Sequence, residues 1–322
     1  MKLAWLFPGQ GSQEVGMGKG VFGASYAARA IYAKADEALA NAAGTGTAPE
    51  DAPISKLCFE GPIETLTLTA VTQPAIVATS SAIVAALREA HPGLAPAFAA
   101  GHSLGEYSAL VAAEAIDAAD AVRLCRLRGQ AMQDAVPPGQ GAMAAIMGLD
   151  PVAIAAVCAE AAEGEVVSPA NFNAPGQIVI AGHAAAVARA SALVAGRSGK
   201  AIPLKVSAPF HCALMKPAAE RLAPELASLS VRALAFPVIA NFDAEPNVDP
   251  SRVTGLLLQQ IDGPVQWVKT IERMAAEGVT HALELGPGKV LAGLVKRIAK
   301  QIKVLNVSDP EAIAKVPAFL ES

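Results

Sequence analysis

The pentapeptide Gly101-His102-Ser103-Leu104-Gly105 constrains the fold of this chain more than any other feature. It follows an apolar stretch at residues 96–100 and precedes a helix-like run at residues 106–115. A G-x-S-x-G sequence between a strand and a helix is typical of a sharp turn that exposes the serine hydroxyl. The new helix directs free N–H groups and the positive end of its dipole at the same place. The pattern predicts an α/β protein whose serine can attack a carbonyl, and a serine in a glycine-rich turn by chance is the alternative.

The composition suits a packed α/β protein and disfavours several other classes. Of the 322 residues, 53% are hydrophobic and 4% aromatic, and the formal net charge of −4 gives no argument for nucleic acid or an anionic membrane. The four cysteines show no C-x-x-C or zinc-like spacing, which favours free thiols in a reducing cytoplasm. The apolar run at residues 3–7 is too short for a signal peptide, and polar residues interrupt the most hydrophobic segment, near residues 70–87. We therefore expect a soluble, cytoplasmic protein.

The order of predicted elements divides the chain in two. Strands that alternate with helices over most of its length predict a mostly parallel sheet. Residues 141–206 are instead predicted as strand, helix, two strands, helix and strand, which is the βαββαβ order of a ferredoxin-like unit. We expect a small domain at residues 139–206, inserted into a large domain formed by residues 1–138 and 207–322. An exposed loop is predicted at residues 43–53, and one long helix is predicted at the end of the chain.

A serine nucleophile needs a base, and the chain offers five histidines. His102 lies inside the turn, where its direction makes removal of the Ser103 proton awkward. His211 lies in a non-helical stretch where the chain returns to the large domain, which matches the order of nucleophile and base in serine enzymes. We predict His211 as the base, with a structural loop histidine as the alternative. The other three histidines have contexts typical of structural or surface positions: His91, His183 and His281.

Arg128 is the second informative residue. On a helix predicted over residues 119–135, it falls near the middle of the apolar face, four residues from both Leu124 and Met132. A guanidinium at such a position keeps its charge and needs an anionic partner. The pattern favours equally one of the chain's own carboxylates and a substrate carboxylate held by two hydrogen bonds.

The loop Gly9-Gln10-Gly11 follows the first predicted strand. It does not match a dinucleotide-binding fingerprint, because Glu14 occupies the position of the third glycine. We predict instead that the loop offers a backbone N–H to an oxyanion.

These residues together resemble the malonyl-CoA:acyl carrier protein transacylases of fatty acid and polyketide synthesis, nearly end to end. The resemblance implies an α/β-hydrolase-like large domain with an inserted ferredoxin-like small domain, and an active site in the cleft between them. It rests on these segments: Phe7-Pro8-Gly9-Gln10-Gly11-Ser12-Gln13, Gly101-His102-Ser103-Leu104-Gly105-Glu106, Arg128-Gly129, Asn171-Phe172-Asn173, His211, Pro264-Val265-Gln266-Trp267 and Gly286-Pro287-Gly288.

The resemblance also implies roles for individual residues. Ser103 would be the nucleophile and His211 its base, with the backbone N–H groups of Gln10 and Leu104 as the oxyanion hole. Arg128 would pair with the malonyl carboxylate. The backbone carbonyl of Gln266 would orient the histidine in place of a carboxylate. Phe210, directly before the base, favours malonyl over methylmalonyl substrates.

The expected activity is transfer of a malonyl group from malonyl-CoA to acyl carrier protein through a malonyl-serine ester. We expect a monomer that needs no cofactor or metal and has no nucleic acid or membrane partner. A serine esterase or thioesterase is the alternative, with Asp134 or Asp150 as its orienting acid, and a non-catalytic acyl-CoA-binding protein is a third reading. Two basic groups are candidates for docking the acidic carrier protein, with a merely solvated surface as the equal alternative for each: Lys296, Arg297, Lys300 and Lys303 on the last helix, and Arg197, Lys200 and Lys205 near the small domain.

Overall fold

The computed structural model describes residues 1–42 and 49–322. The predicted loop at residues 43–53 therefore lies largely outside the described residues, and a 3₁₀ helix occupies Pro49–Asp51. The described residues form these strands: β1 (Leu3–Phe7), β2 (Phe98–Gly101), β3 (Gly141–Met147), β4 (Val167–Ala174), β5 (Gln177–His183), β6 (Lys200–Pro203), β7 (Val238–Ile239), β8 (Pro246–Asn247), β9 (His281–Leu285) and β10 (Lys303–Val307).

The same residues form fourteen α-helices and a second 3₁₀ helix at Ala213–Met215. The first seven helices precede the small sheet: α1 (Lys19–Ala24), α2 (Tyr26–Ala42), α3 (Ile54–Glu60), α4 (Ile63–Leu66), α5 (Thr69–Ala90), α6 (Gly105–Ala112) and α7 (Ala118–Asp134). The remainder lie within or after it: α8 (Pro151–Ala162), α9 (Ala184–Gly196), α10 (Lys216–Ala227), α11 (Pro250–Asp262), α12 (Trp267–Ala276), α13 (Val290–Ile298) and α14 (Pro310–Leu320).

A mostly parallel sheet organises the larger part of the chain. Its strand order is β10-β9-β1-β2-β7-β8, and only β8 runs antiparallel to its neighbour. The central strand β1 is buried along its whole length, as its apolar sequence LAWLF predicts for a strand covered on both faces. In this sheet Phe7 lies beside Gly101. The carboxyl ends of β1 and β2 therefore lie side by side, which brings the Gly9-Gln10-Gly11 loop next to Ser103.

A separate antiparallel sheet of four strands has the order β4-β5-β3-β6. Helices α8 and α9 follow β3 and β5, so the chain order is βαββαβ as the sequence predicts. An apolar cluster joins this sheet to the two helices and includes Ile146, Ile154, Ile178 and Val194.

Strand β4 of the antiparallel sheet is hydrogen-bonded to the larger part of the chain. A parallel bridge pairs Asn171 of β4 with Val265, and the Phe172 N–H donates to the Val265 carbonyl at 2.9 Å. Arg297 of α13 also donates to the carbonyl of Pro175 at 3.1 Å. Backbone hydrogen bonds thus attach β4 to the segment between α11 and α12.

The end of the chain differs from the prediction. The expected long helix is α13, strand β10 and helix α14, so Lys300 lies in the turn after α13 and Lys303 in an edge strand rather than on a helix face. Asp309 caps α14 by accepting from the Ala312 N–H, and Pro310 occupies its first turn. These are ordinary start signals for a separate helix.

Helix α5 is the longest element and lies in the core. By length and composition it could cross a membrane, but 89% of its most apolar window is buried within the protein. That burial is what a core helix requires.

Candidate active site

Ser103 lies at the turn between β2 and α6 in a left-handed backbone conformation, with φ of 52°. The turn is possible because its flanking residues are glycines. A Cβ on Gly101 would lie 1.9 Å from the carbonyl carbon of Gly105, and one on Gly105 would lie 2.3 Å from the Phe7 oxygen. Strand, strained serine and helix follow one another as the pentapeptide predicts.

The hydroxyl of Ser103 contacts the imidazole of His211. Ser103 Oγ lies 2.8 Å from His211 Nε2, and His211 Nδ1 lies 2.9 Å from the Gln260 carbonyl and 3.2 Å from the Gly263 carbonyl. Both neighbours of Nδ1 can only accept, so Nδ1 carries the proton and Nε2 is the acceptor. Ser103 Oγ–H therefore donates to Nε2, which is the geometry of a nucleophile with its base.

The carbonyl that orients His211 is not the one that the resemblance implies. Gln266 lies at the start of α12, where its N–H donates to the Asn241 carbonyl at 2.9 Å. Gln260, in the last turn of α11, has a free carbonyl because the residue four positions later is Pro264, which has no N–H. Helix α11 thus ends with an acceptor that the imidazole uses.

Arg128 is almost completely buried, at 2% exposure. Its guanidinium donates to Gln73 Oε1 at 2.7 Å, to Gln260 Oε1 at 2.8 Å and to Ser103 Oγ at 3.2 Å. Within residues 1–42 and 49–322, no carboxylate forms an ion pair with it. The internal ion pair that the sequence left open is therefore not formed, and a buried cation whose hydrogen-bond partners are all neutral faces the nucleophile.

Two residues that line the same pocket have free backbone N–H groups. Gln10 and Leu104 line the pocket with Ser103, and over the described part of the chain neither N–H has a hydrogen-bond acceptor. Leu104 begins α6, so its N–H is among those that a helix leaves free. The arrangement matches the donors that stabilise a tetrahedral oxyanion.

The pocket around these groups has a volume of about 120 Å³. Helix α5 contributes Gln73 and helix α7 contributes Met132, while the small domain contributes Met143, Asn171 and Leu204. His102 points away from the Ser103 hydroxyl, because its Nε2 lies 2.8 Å from Asn173 Oδ1 and its ring packs against Trp267. Phe210 forms part of the wall.

Burial and charge hold His211 in its neutral form. Burial and, after it, the neighbouring Arg128 charge lower the pKa of His211 to about 3, against the two carbonyls that raise it. The imidazole is therefore ready to accept a proton at neutral pH.

Four polar residues at the site were missed by the sequence reasoning: Gln73, Glu106, Asn241 and Gln260. Gln260 lies on the apolar face of α11 beside Leu256, Leu257 and Ile261, which is the same periodicity signal that marks Arg128. Gln73 interrupts the most hydrophobic segment of the chain. Polar residues in such positions could have been recognised as site candidates.

The acids that an esterase would use lie elsewhere. Asp134 pairs with Arg221 at 2.8 Å on the surface, and Asp150 caps α8 through the Ala153 N–H. Two of the histidines that are predicted at structural or surface positions have partners away from Ser103. His183 accepts from the Val166 N–H, and His91 contacts the Ile313 carbonyl. In the part of the chain that the structure describes, no cluster of three or more His, Cys, Asp or Glu residues could hold a metal ion.

A serine–histidine pair at a strand–helix turn, with free N–H donors beside it, defines an α/β enzyme of the class that forms an ester on serine. Comparison with known proteins makes this more specific. The chain matches the acyl transferase domain over residues 4–318, and it belongs to that family.

The relatives are full-length matches. The chain is 48% identical to the malonyl CoA-acyl carrier protein transacylase of Escherichia coli K12 over 97% of this chain and 98% of the relative. It is 46% identical to the protein of that name from Bacillus subtilis, over 97% and 95% respectively. A crystal structure of an acyl carrier protein S-malonyltransferase from Vibrio cholerae superposes with a TM-score of 0.92 at 47% identity, covering 98% of this chain and all of that one.

Proposed function

We propose that this protein transfers a malonyl group from malonyl-CoA to the pantetheine thiol of acyl carrier protein, in fatty acid or polyketide synthesis. The observation that carries the proposal is the position of Arg128, a buried cation 3.2 Å from the nucleophile with only neutral partners. A carboxylate at the far end of an acyl group on Ser103 would complete its ion pair. The names of the relatives support malonyl as that group.

The first half-reaction forms a malonyl ester on Ser103. His211 Nε2 takes the hydroxyl proton as Oγ attacks the thioester carbonyl, and the Gln10 and Leu104 N–H groups stabilise the oxyanion. Each such donor contributes about 3–4 kcal/mol to the transition state in comparable sites. The tetrahedral intermediate then collapses, the C–S bond breaks, and the imidazolium returns its proton to the sulfur of coenzyme A.

The second half-reaction reverses these steps with a different thiol. The pantetheine thiol of the carrier protein gives its proton to His211 and attacks the ester. Collapse of the second intermediate breaks the C–O bond and returns the proton to Ser103. The two thiols bind in turn, so the kinetics are ping-pong.

Arg128 affects the selectivity for the acyl group and the pKa of His211. An acetyl group would leave the guanidinium buried without an anion, which disfavours acetyl transfer. A bound carboxylate would also offset the charge that lowers the pKa of His211, so malonyl binding strengthens the base that acts on it.

The assignment of the architecture belongs to the same proposal. An α/β-hydrolase-like large domain is supported by the parallel sheet and the serine turn after β2. A ferredoxin-like small domain is supported by the βαββαβ order and the strand order β4-β5-β3-β6. The proposed boundaries at residues 139 and 206 are supported by the separate sheet that β3 to β6 form within residues 141–203.

We propose a cytoplasmic monomer without a cofactor or a nucleic acid or membrane partner, which meets malonyl-CoA and, transiently, acyl carrier protein. Another solved relative, with a TM-score of 0.92 at 41% identity, is a malonyl-transacylase in complex with a type II acyl-carrier protein. Of the two basic groups, the one near the small domain lies closer to the pocket, because exposed Lys205 follows Leu204 in its wall. Arg297 of the other group is engaged with Gln177 and Pro175.

The geometry disfavours the two alternatives. A serine esterase would orient His211 with a carboxylate, whereas Nδ1 faces two backbone carbonyls. A non-catalytic acyl-CoA-binding protein would not need a hydroxyl 2.8 Å from a neutral imidazole.

The test is acylation of the enzyme without an acceptor thiol. Mass spectrometry after incubation with malonyl-CoA should find a stable malonyl adduct on Ser103, whereas rapid hydrolysis would favour a thioesterase. Arg128→Ala should lower kcat/KM for malonyl-CoA by about a hundredfold or more, as expected for loss of a buried charge partner, and that for acetyl-CoA far less. Arg123→Ala, on the other face of α7 and paired with Glu225, is the control. Equal losses for both substrates would refute the role of Arg128.

A further inference from the structure

One residue, Gln260, contacts Arg128, the serine turn and His211. Gln260 is completely buried. Its Oε1 accepts from Arg128 at 2.8 Å, and its Nε2 donates to the Ser103 carbonyl at 3.0 Å. Its backbone carbonyl holds His211 Nδ1. The direction of this amide therefore decides whether Arg128 meets an acceptor or a donor.

Glu106 sets the direction of that amide. The two ends of a glutamine amide are nearly equal in shape, so its neighbours determine which end faces where. Gln260 Nε2 donates to Glu106 Oε2 at 2.7 Å, the shortest of the three amide contacts. The same Glu106 oxygen accepts from the Asn241 N–H, which can only donate, so it remains an acceptor whether or not the carboxyl group is protonated; the Gln260 nitrogen must therefore face Glu106 and its oxygen must face Arg128.

Glu106 also supports the serine turn from the other side. Its Oε2 accepts from the Asn241 N–H at 2.9 Å. The Asn241 side chain in turn accepts from the Ser103 N–H at 2.6 Å and donates to the Gly101 carbonyl at 2.6 Å. One buried carboxylate thus anchors both residues that hold the backbone of the nucleophile.

The charge of Glu106 is unusual for its surroundings. The side chain is 2% exposed, and its charged neighbours are Arg128 and Asp243. Burial raises the pKa of Glu106 to about 7, against the hydrogen bonds and the Arg128 charge that lower it. Retaining a carboxyl group here is costly unless its acceptor oxygens are needed.

We infer that Glu106 is a positioning residue that fixes the Gln260 amide and thereby directs Arg128 at the carboxylate of the substrate. The inference rests on the proposed role of Arg128 in binding malonyl. Glu106 acts through Gln260 and touches neither the reacting atoms nor the substrate.

Three substitutions of Glu106 distinguish the effect of its hydrogen-bond acceptor from the effect of its charge. Glu106→Gln loses the charge and keeps an oxygen that accepts both hydrogen bonds. Glu106→Asp keeps the charge and withdraws the acceptor by one methylene group. Glu106→Leu removes the acceptor at similar volume, and if it does not fold, Glu106→Asp carries the test. Glu220→Asp, on the exposed face of α10, is the matched control.

The readout is the ratio of kcat/KM for acylation by malonyl-CoA to that by acetyl-CoA. We expect Glu106→Asp and Glu106→Leu to lower this ratio about tenfold or more, mainly through KM for malonyl-CoA, as expected for loss of a directed contact. Glu106→Gln and Glu220→Asp should keep it within about threefold. In the double variant Glu106→Asp/Arg128→Ala, the ratio should fall no further than in Arg128→Ala, because the two residues act in series.

Equal losses for both substrates, or an unchanged ratio in Glu106→Asp, would overturn the inference. So would a loss in Glu106→Gln as large as in Glu106→Asp, since that would assign the effect to charge. These outcomes differ from failure of the proposed function, which would appear in the unsubstituted enzyme as no malonyl ester, or in Arg128→Ala as an unchanged ratio.

Discussion

Gly105 shows at the scale of one residue why the serine turn tolerates so few side chains. Its α-carbon packs against the carboxyl end of β1, where the Phe7 and Pro8 oxygens leave no room for a methyl group. The opposing Gly101 packs equally closely against Gly105 itself. The exposed serine and its left-handed backbone therefore depend on two positions without side chains.

We predict that Gly105→Ala lowers the free energy of unfolding by about 2 kcal/mol or more, because the added methyl group displaces backbone that cannot move freely. Acylation of Ser103 should fall with it, since β1 and the loop at Gln10 shift together. Gly255→Ala is the matched control, because this helical glycine is exposed and nothing lies within 4 Å of an added Cβ. That variant should gain about 0.5–1 kcal/mol. Denaturant unfolding measures both, and equal stability in the two variants would contradict the steric argument.

Helix α11 shows how the end of one element can create a functional acceptor. The helix stops before Pro264, and the carbonyl of Gln260 that a longer helix would use remains available to His211. The proline is thus as important to the orientation of the base as the residue whose carbonyl is used.

We predict that Pro264→Ala lowers the rate constant for acylation about tenfold, because a new N–H at position 264 competes with His211 for the Gln260 carbonyl. The effect should be on kcat for malonyl-CoA and acetyl-CoA alike, since the base serves both. Pro250→Ala, at the start of the same helix, should leave both rates nearly unchanged. Single-turnover kinetics distinguish the cases, and a normal rate in Pro264→Ala would show that the competition does not occur.

The sequence predicts elements well where local signals are strong. Helix α8 occupies the place in the βαββαβ order where a helix is predicted, because Asp150 caps it and Pro151 occupies its first turn. Strand β10 and helix α11 are not predicted by the sequence analysis. For α11 the overlooked residues are Asp249-Pro250, which are an equally clear helix start signal. The two-residue strand β8 is too short to leave a pattern and exists through its neighbour, whereas a strand is predicted at residues 238–241, where β7 lies.

The site was predicted unevenly for a physical reason. Ser103, His211 and Arg128 come together as expected, because side-chain chemistry and periodicity point to them. The carbonyl at Gln260 rather than Gln266 was not predictable from residue type, since every residue carries a carbonyl and only the tertiary path decides which one is free. The Glu106 contacts likewise join residues more than 130 positions apart.

At the scale of the whole molecule, buried ionisable groups make stability depend on pH. Glu106 has its pKa raised from 4.5 to about 7 in the folded state, so between these values the folded protein keeps a proton that the unfolded chain has lost. The contribution of Glu106 to the free energy of unfolding therefore falls as pH rises through this interval. His211 has its pKa lowered from 6.5 to about 3, so its contribution rises with pH over an overlapping interval.

We predict that Glu106→Gln removes the pH-dependent contribution of Glu106 to stability and leaves that of His211. From pH 4.5 to 7, the stability of the unsubstituted protein minus that of the variant should fall by up to about 1.4 kcal/mol per pH unit, and it should be constant above pH 8. Arg128 and Asp243 are the charged groups that modulate the midpoint. Denaturant unfolding over this range measures the difference. A flat difference curve would show that Glu106 titrates normally.

The backbone bridge between Phe172 and Val265, with the Asn173 contact to His102, bears on how such enzymes could be recombined. The unit formed by β3 to β6 cannot simply be exchanged, because strand β4 is hydrogen-bonded to Val265 and to His102, the residue beside the nucleophile. In a chimaera, a foreign unit would be positioned by the contacts of its own β4. Substitutions intended to alter acyl-group preference should therefore exchange the edge strand β6 and keep residues 170–174 unchanged.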